Sequence, residues 1–396
     1  MIGRASRAVA RWVAHAWGNV KASTDASLLA VPRFLGLLYG PIDSRLPIDQ
    51  AFRKAVAYRL PPHVGWRHAL GGVTYLLFIV LVATGVLLSF YYRPSAEEAY
   101  PSIRHIVSGV RLGWLIRDLH VWAANVIVIA VLAHMARVFL SAAYAPPRET
   151  NWLTGMLLLF LVVAFGATGY LLPWDQGAYW TVTEGLNAVD GIPVVGSFTV
   201  EVLRGDPIIS GATLSRFFAV HVIVLPWIAL ALLVFHFMLL RKHGVAPPRR
   251  VPMRVADGVP FFPTHLLRSL IAAVLVLATV ISAAVLFPRP IGDPADPARV
   301  PGALVSSWVL ADVSRALAHY LGSWGFGGFA LLGLALALVP LFEREPERGQ
   351  GRRRAVMVLG LVFYLGLAAA WLAGRQLRSV PPAATVQSGA IEEPGR

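Results

Sequence analysis

The 396-residue chain contains no cysteine. That absence excludes a disulfide, a thiolate-held iron–sulfur cluster and a covalently attached c-type haem on this polypeptide. Charge is also scarce: 14% of residues are charged and 57% are hydrophobic, against about 25% charged in an ordinary soluble domain. A water-soluble fold is thereby excluded, and the composition reads as an integral membrane protein. The net charge of +14 does not point to nucleic acid. The basic residues gather at the ends of apolar runs, where they set orientation across a bilayer. The opening segment MIGRASRAVARWVAHAW lacks a long apolar core and a small-residue cleavage site, so it reads as a basic amphipathic surface helix and not as a signal peptide.

What is present is a series of long apolar runs. Seven are long enough to cross about 30 Å of hydrocarbon, near 70–92, 114–140, 152–172, 216–240, 266–287, 322–342 and 355–373. The predicted fold is all-α and membrane-integral, a four-helix bundle followed by three further transmembrane helices. Residues 1–66 form a basic N-terminal segment, 67–242 the four-helix part, 243–263 a Pro-rich linker, 264–378 the three-helix part and 379–396 a disordered tail. Two irregular stretches, 173–215 and 288–320, are too long to be simple connectors. Residues 1–68 carry ten Lys/Arg, whereas 173–215 concentrates Asp175, Glu184, Asp190, Glu201 and Asp206. The positive-inside rule therefore puts the N-terminus in the cytoplasm, consistent with a bacterial inner membrane, and both irregular stretches outside.

Four histidines lie deep inside two of these runs. His120 and His134 are 14 residues apart, and His221 and His236 are 15 apart. At about 1.5 Å and 100° per residue, each pair spans roughly 21–23 Å on nearly one helical face. Two such helices running the same way pair His120 with His221 and His134 with His236 by depth. An ionisable side chain in hydrocarbon is a functional signal, and a haem iron coordinated from both sides satisfies two facing neutral imidazoles. Zinc or copper would be under-coordinated by two imidazoles alone. Gly71 and Gly85 on the first run, and Gly155 and Gly169 on the third, repeat the 14-residue interval; a missing side chain lets a flat macrocycle approach the backbone. Arg117 and Arg137 lie three residues outside His120 and His134, within reach of haem propionates.

At this point the strings RDLHVWAANVIVIAVLAHMAR, GATGYLLPWDQGAYW, IPVVGSFTVEVLRG and LSRFFAVHVIVLPWIALALLVFHFMLLRKHG give a match. Residues 35–245 resemble the cytochrome b subunit of quinol–cytochrome c reductases. The 15-residue histidine interval and the LPWDQ wording are similar to the short form of chloroplasts and cyanobacteria. The remainder, with GDPADPARVP, resembles that system's separate subunit IV, here fused. The resemblance implies two non-covalent b haems, an outer one on His120 and His221 and an inner one on His134 and His236. It also implies an outer quinol-oxidising pocket, an inner quinone-reducing pocket, a partner iron–sulfur protein or c-type cytochrome docking on 173–215 and 288–320, and a homodimeric complex.

Two departures qualify it. Ala69 stands where the chloroplast form has a cysteine carrying an extra haem, so no third haem is expected. The family's Pro-Glu-Trp-Tyr motif aligns here with Ser306, Ser307, Trp308 and Val309, and its Glu, the implied proton acceptor, is missing. A quinol must shed both protons as its electrons leave. Asp312 and His319 are the nearby candidates to receive one, while Tyr170, Pro173, Trp174 and Trp308 could line a ring slot. At the inner face the resemblance offers Arg241, Lys242 and the basic N-terminal segment near the inner haem, and His243, His68 or water could relay protons to a quinone there. Three readings remain open: a reductase subunit, a divergent paralogue that passes electrons between an external cytochrome and the quinone pool, and a non-redox channel or scaffold.

Overall fold

A computed structural model describes residues 59–246, 258–304, 308–344 and 350–379. Residues 1–58, with the predicted amphipathic helix, lie outside the described residues, as do Ser306, Ser307, part of the linker and the tail from 380. The chain divides into two compact units. The smaller contains an antiparallel pair of two-residue strands, β1 (Arg59–Leu60) and β2 (Val259–Pro260), followed by a π turn at Phe261–His265.

The larger unit is helical because an apolar run in lipid can satisfy its peptide groups only internally. In chain order its helices are α1 (Leu70–Ser89), α2 (Ala99–Gly109), α3 (Gly113–Leu140), α4 (Glu149–Tyr170), α5 (Gln176–Asp190), α6 (Gly196–Arg204), α7 (Gly211–Ala219), α8 (Leu225–His243), α9 (Leu266–Leu286), α10 (Val309–Leu321), α11 (Ser323–Phe342) and α12 (Gln350–Gln376). A π turn, Val220–Val224, joins α7 to α8 without a break, so these two make one span of 33 residues. Seven spans result among the described residues, in the seven places where the sequence has its apolar runs. α3 is the central one: 39% of its apolar window is buried inside the protein, against 11% for the span that includes α9.

The three later spans pack on the first four through hydrogen bonds at both ends. At the end carrying His134, the Tyr144 hydroxyl donates to Glu343, and Arg353 donates to Tyr144 Oη (2.9 Å), Glu343 Oε2 (3.2 Å) and the Leu140 carbonyl (2.9 Å). Trp152 Nε1 reaches the Leu336 carbonyl (3.0 Å) and the Tyr364 hydroxyl the Leu132 carbonyl (2.9 Å).

At the end carrying His120, the two irregular stretches grip each other. Asp175 caps α5 by accepting from Ala178 N (2.8 Å) and also accepts from Gly292 N (3.2 Å). Gln176 donates its amide to the Arg299 carbonyl (2.9 Å) and accepts from Asp296 N (3.1 Å). The Asp-Gln of LPWDQ is thus a clamp between residues 120 positions apart in sequence.

Candidate functional site

The paired histidines meet as their spacing demands. His120 on α3 and His221 at the start of the π turn face one another with ring centroids 6.3 Å apart. Two imidazoles on opposite sides of one metal ion, each with a metal–nitrogen bond of about 2 Å and a ring centre roughly 1.1 Å further on, stand about 6.3 Å apart. The donor set therefore fits a bis-imidazole iron. His134 and His236 are electrostatic neighbours at the other depth.

The π turn explains the unequal intervals. Pro226 lacks an amide hydrogen, and its ring would crowd the carbonyl four residues back. The helix responds with a wider turn, in which Leu225 N bonds to the Val220 carbonyl. One π turn absorbs about one extra residue. Fifteen residues between His221 and His236 then behave as fourteen, the interval between His120 and His134 on α3.

Each of the four predicted glycines faces one of the four imidazoles. A Cβ placed on Gly85 would lie 3.4 Å from His120 Cε1, on Gly71 3.2 Å from His134 Cε1, on Gly155 3.7 Å from His236 Cε1, and on Gly169 only 2.5 Å from His221 Cε1. The glycines thus clear room for axial rings one to one, α1 serving α3, and α4 serving the π turn and α8.

Sequence reasoning missed the hydroxyls beside two of these rings. Thr84 Oγ1 lies 2.8 Å from His120 Nδ1, and Thr168 Oγ1 lies 3.2 Å from His221 Nδ1. Both residues end an Ala-Thr just before a facing glycine, at 83–85 and 167–169. That recurring tripeptide was the signal available.

Tyr170 and Trp308 are brought together, with ring centroids 6.3 Å apart and planes tilted by 34°. Trp308 packs against Gly166, where a Cβ would come within 2.0 Å of its ring. Asn125 Oδ1 accepts from Val309 N (2.8 Å) and so holds the start of α10 against α3. Asp312 is 1% exposed in the first turn of α10. Both of its oxygens accept from Arg378, at 3.0 Å from Nε and 2.6 Å from Nη2. Arg378 belongs to the short turn after α12 and lay beyond any local sequence signal.

Arg117 is buried and engaged, donating to Asp118 Oδ1 (3.0 Å) and to the Arg289 carbonyl (2.6 Å). Arg289 rests 4.2 Å over the Trp122 ring. Burial pulls its guanidinium below its ordinary value; Arg378 adds to this, and Asp118 and Tyr170 oppose it.

At the opposite end, Arg137 lies near His63, whose Nε2 donates to the Ala246 carbonyl (2.9 Å). Burial lowers the His63 pKa, the Ala246 bond opposes this, and Arg137 lowers it further. His68 Nδ1 accepts from Gly65 N (3.2 Å), and Arg148 donates to the His243 carbonyl (2.9 Å). An apolar cavity of about 320 Å³, lined among others by Trp66, Ala69, Leu70 and Ala133, opens next to Gly71 and His134 in sequence.

A polytopic helical bundle with imidazoles paired at two depths defines the class of membrane proteins that hold redox groups between spans. Comparison with known proteins makes this specific. The family described as cytochrome b/b6/petB matches residues 55–244. Cytochrome b6 of Acaryochloris marina (strain MBIC 11017) is 42% identical over 211 residues, covering 53% of this chain and 98% of that protein. Cytochrome b6 of Euglena gracilis is 41% identical with the same coverage. Among solved structures, a chain of a hyperthermophilic respiratory Complex III aligns with a TM-score of 0.74 at 26% identity, over 85% of this chain and 91% of that one. The chain belongs to the cytochrome b/b6 family. It is a membrane-embedded, cytochrome b-like electron carrier homologous to quinol–cytochrome c reductase subunits, and membership implies haem and quinone binding.

Proposed function

We propose that the protein is the di-haem subunit of a quinol–cytochrome c reductase-like complex in a bacterial cytoplasmic membrane, with its N-terminus in the cytoplasm. The observation that carries this reading is the 6.3 Å facing of His120 and His221, with His134 and His236 as electrostatic neighbours at the other depth. Residues 67–242 supply both pairs, and residues 264–378 add the wall that carries Trp308 and Asp312.

His120 and His221 hold the outer haem, His134 and His236 the inner one. A haem held there would supply one-electron transfer. Fourteen residues of helix separate the pairs by about 21 Å, which divides the bilayer into two hops. Arg137 would meet a propionate of the inner haem, and Arg117 one of the outer. Tyr170 and Trp308 receive a quinol ring outside. The cavity beside Ala69 and Leu70 receives a quinone inside, with His68 and His243 as the candidate proton relays. An iron–sulfur protein or a c-type cytochrome docks on the clamped outer loops, and the complex forms a homodimer surrounded by lipid.

A second reading is favoured by one observation. Asp312 already accepts from Arg378 through both oxygens, so taking a quinol proton requires that pair to open. If it never opens, the protein passes electrons between an external cytochrome and the quinone pool without oxidising quinol outside.

Two measurements on the purified full chain test these readings. Haem analysis should find two b-type haems per polypeptide in the wild type and one in His134→Ala; fewer than two in the wild type sinks both readings. Quinol oxidation by the intact complex with an added cytochrome acceptor should fall at least tenfold in Asp312→Asn if Asp312 accepts the proton. An unchanged rate removes Asp312 from the reaction, and no wild-type rate leaves the second reading.

A further inference from the structure

One guanidinium at the outer end is held in place by its backbone and left without an acceptor for its side chain. Bonds from α3 fix residues 287–289: Arg117 donates to the Arg289 carbonyl (2.6 Å), Asp118 Oδ2 accepts from Arg289 N (3.3 Å), and Trp122 Nε1 donates to the Phe287 carbonyl (3.0 Å). The Arg289 side chain lies over the Trp122 ring at 4.2 Å. Such stacking engages the face of a guanidinium and none of its N–H bonds. Arg289 Nε is buried and has no hydrogen-bond partner among the described residues.

The charged and phenolic groups acting on Arg289 are Arg378, Asp118 and Tyr170. The carboxylates at this end are already engaged. Asp118 accepts from Arg117 (3.0 Å) and from Arg289 N, and both oxygens of Asp312 accept from Arg378. Asp175, which acts on Arg117, accepts from Ala178 N and Gly292 N. Arg378 is itself an electrostatic neighbour of Tyr170. Tyr170, which shares its slot with Trp308, therefore has one guanidinium neighbour from the stretch after α9 and another from the turn after α12. An aromatic slot bordered by two cations, one of them uncommitted, is complementary to a flat ring that bears a negative oxygen.

Building on the reading that Tyr170 and Trp308 receive a quinol ring, we propose that Arg289, with Arg378 beside it, makes the outer slot an anion site that takes the ring in its singly deprotonated form. The O–H bond of one quinol hydroxyl breaks, its proton passes to water at that end of the bundle, and the electron pair stays on the ring oxygen, which accepts from Arg289. A nearby opposite charge favours the ionised form of a hydroxyl. Charge stabilisation thereby stands in for a proton-accepting side chain, and the Asp312–Arg378 pair stays closed.

The test is calorimetric binding of two probes to the purified full chain, with haem content measured on each sample. One probe is a hydroxynaphthoquinone, whose acidic ring hydroxyl is ionised at neutral pH; the other is its neutral methyl ether. Wild type should bind the ionised probe about tenfold tighter or more, as a charge-assisted contact requires. Arg289→Gln keeps the backbone bonds to Arg117 and Asp118, and should bring that preference below about threefold while leaving the methyl ether's affinity unchanged. In Asp312→Asn/Arg378→Gln both members of the buried pair go together, so no charge is stranded; the preference should narrow there too, by less. The inner cavity is lined by uncharged residues, so it takes both probes alike and adds nothing to the difference.

Equal affinities of the two probes in wild type would overturn the proposal, as would a full preference retained in Arg289→Gln. Equal weakening of both probes in Arg289→Gln overturns it in favour of a structural role, and loss of a haem from that variant in favour of a propionate contact. Binding of neither probe to wild type would instead remove the slot on which the inference rests.

Discussion

At the scale of the residue, the four glycines form a graded series. The space in front of each is set by how close its helix comes to an imidazole, and only Gly169 is so tight that a methyl group would force the ring aside. Gly169→Ala should displace His221 and cost the outer haem or broaden its absorption band. Gly155→Ala, which meets only an ordinary contact, should retain both haems with native spectra. Equal losses in the two variants, read by haem content per polypeptide, would show that the glycines serve something other than the rings. The histidines and glycines could be read directly from the sequence because a depth and a helical face are fixed by counting residues along one strand of chain. The threonine contacts and the Arg378 partner of Asp312 could not. They join residues 36, 53 and 66 positions apart, and no local pattern encodes which helix will stand opposite.

At the scale of the element, the span built from α7 and α8 shows how a local irregularity sets a site. Its unequal histidine interval was legible, but its consequence was not: counting 15 residues on a regular helix leaves His236 about 100° away from where fourteen would put it. The π turn removes that discrepancy, and Pro226 is the residue that makes a regular turn costly there. Pro226→Ala should allow the regular ladder to re-form, rotate one histidine away from its partner, and reduce the haem count below two. Haem analysis checks this, and two fully bound haems would show that the imidazoles themselves, and not the proline, hold the wide turn. The seven spans were legible for the opposite reason: lipid tolerates only continuous apolar helices, so length and composition suffice. The Asp175 and Gln176 clamp on residues 292–299 was invisible for want of any signal linking the two outer stretches.

At the scale of the whole molecule, stability of the larger unit depends on a buried polar knot. Glu343 is 2% exposed, its Oε2 is bound by Tyr144 and Arg353, and its Oε1 has no partner among the described residues. Removing the cation from such a pair strands a charge and costs about 3–5 kcal/mol. Arg353→Ala should therefore lower the thermal midpoint of the purified protein clearly, and Arg353→Lys should recover only part of it because lysine cannot span Tyr144, Glu343 and the Leu140 carbonyl together. Little change in midpoint would mean that the apolar contacts of Phe139, Trp152 and Phe363 suffice at this end.

The bonds that tie the last three spans to the first four have a bearing on chain architecture. The cytochrome b6 relatives are nearly fully aligned by about half of this polypeptide, so the remaining spans here are joined covalently to a part that elsewhere is a chain of its own length. With Trp308 seated on Gly166, Trp152 bonded to α11 and Arg353 bonded to the end of α3, the two halves carry their own adhesion on both faces of the membrane. The peptide that joins them therefore works as a tether: it keeps the local concentration of each half high and their stoichiometry at one to one, while recognition between them is written in side chains. Fusion or fission of such a gene alters how assembly begins and leaves the assembled surfaces as they are.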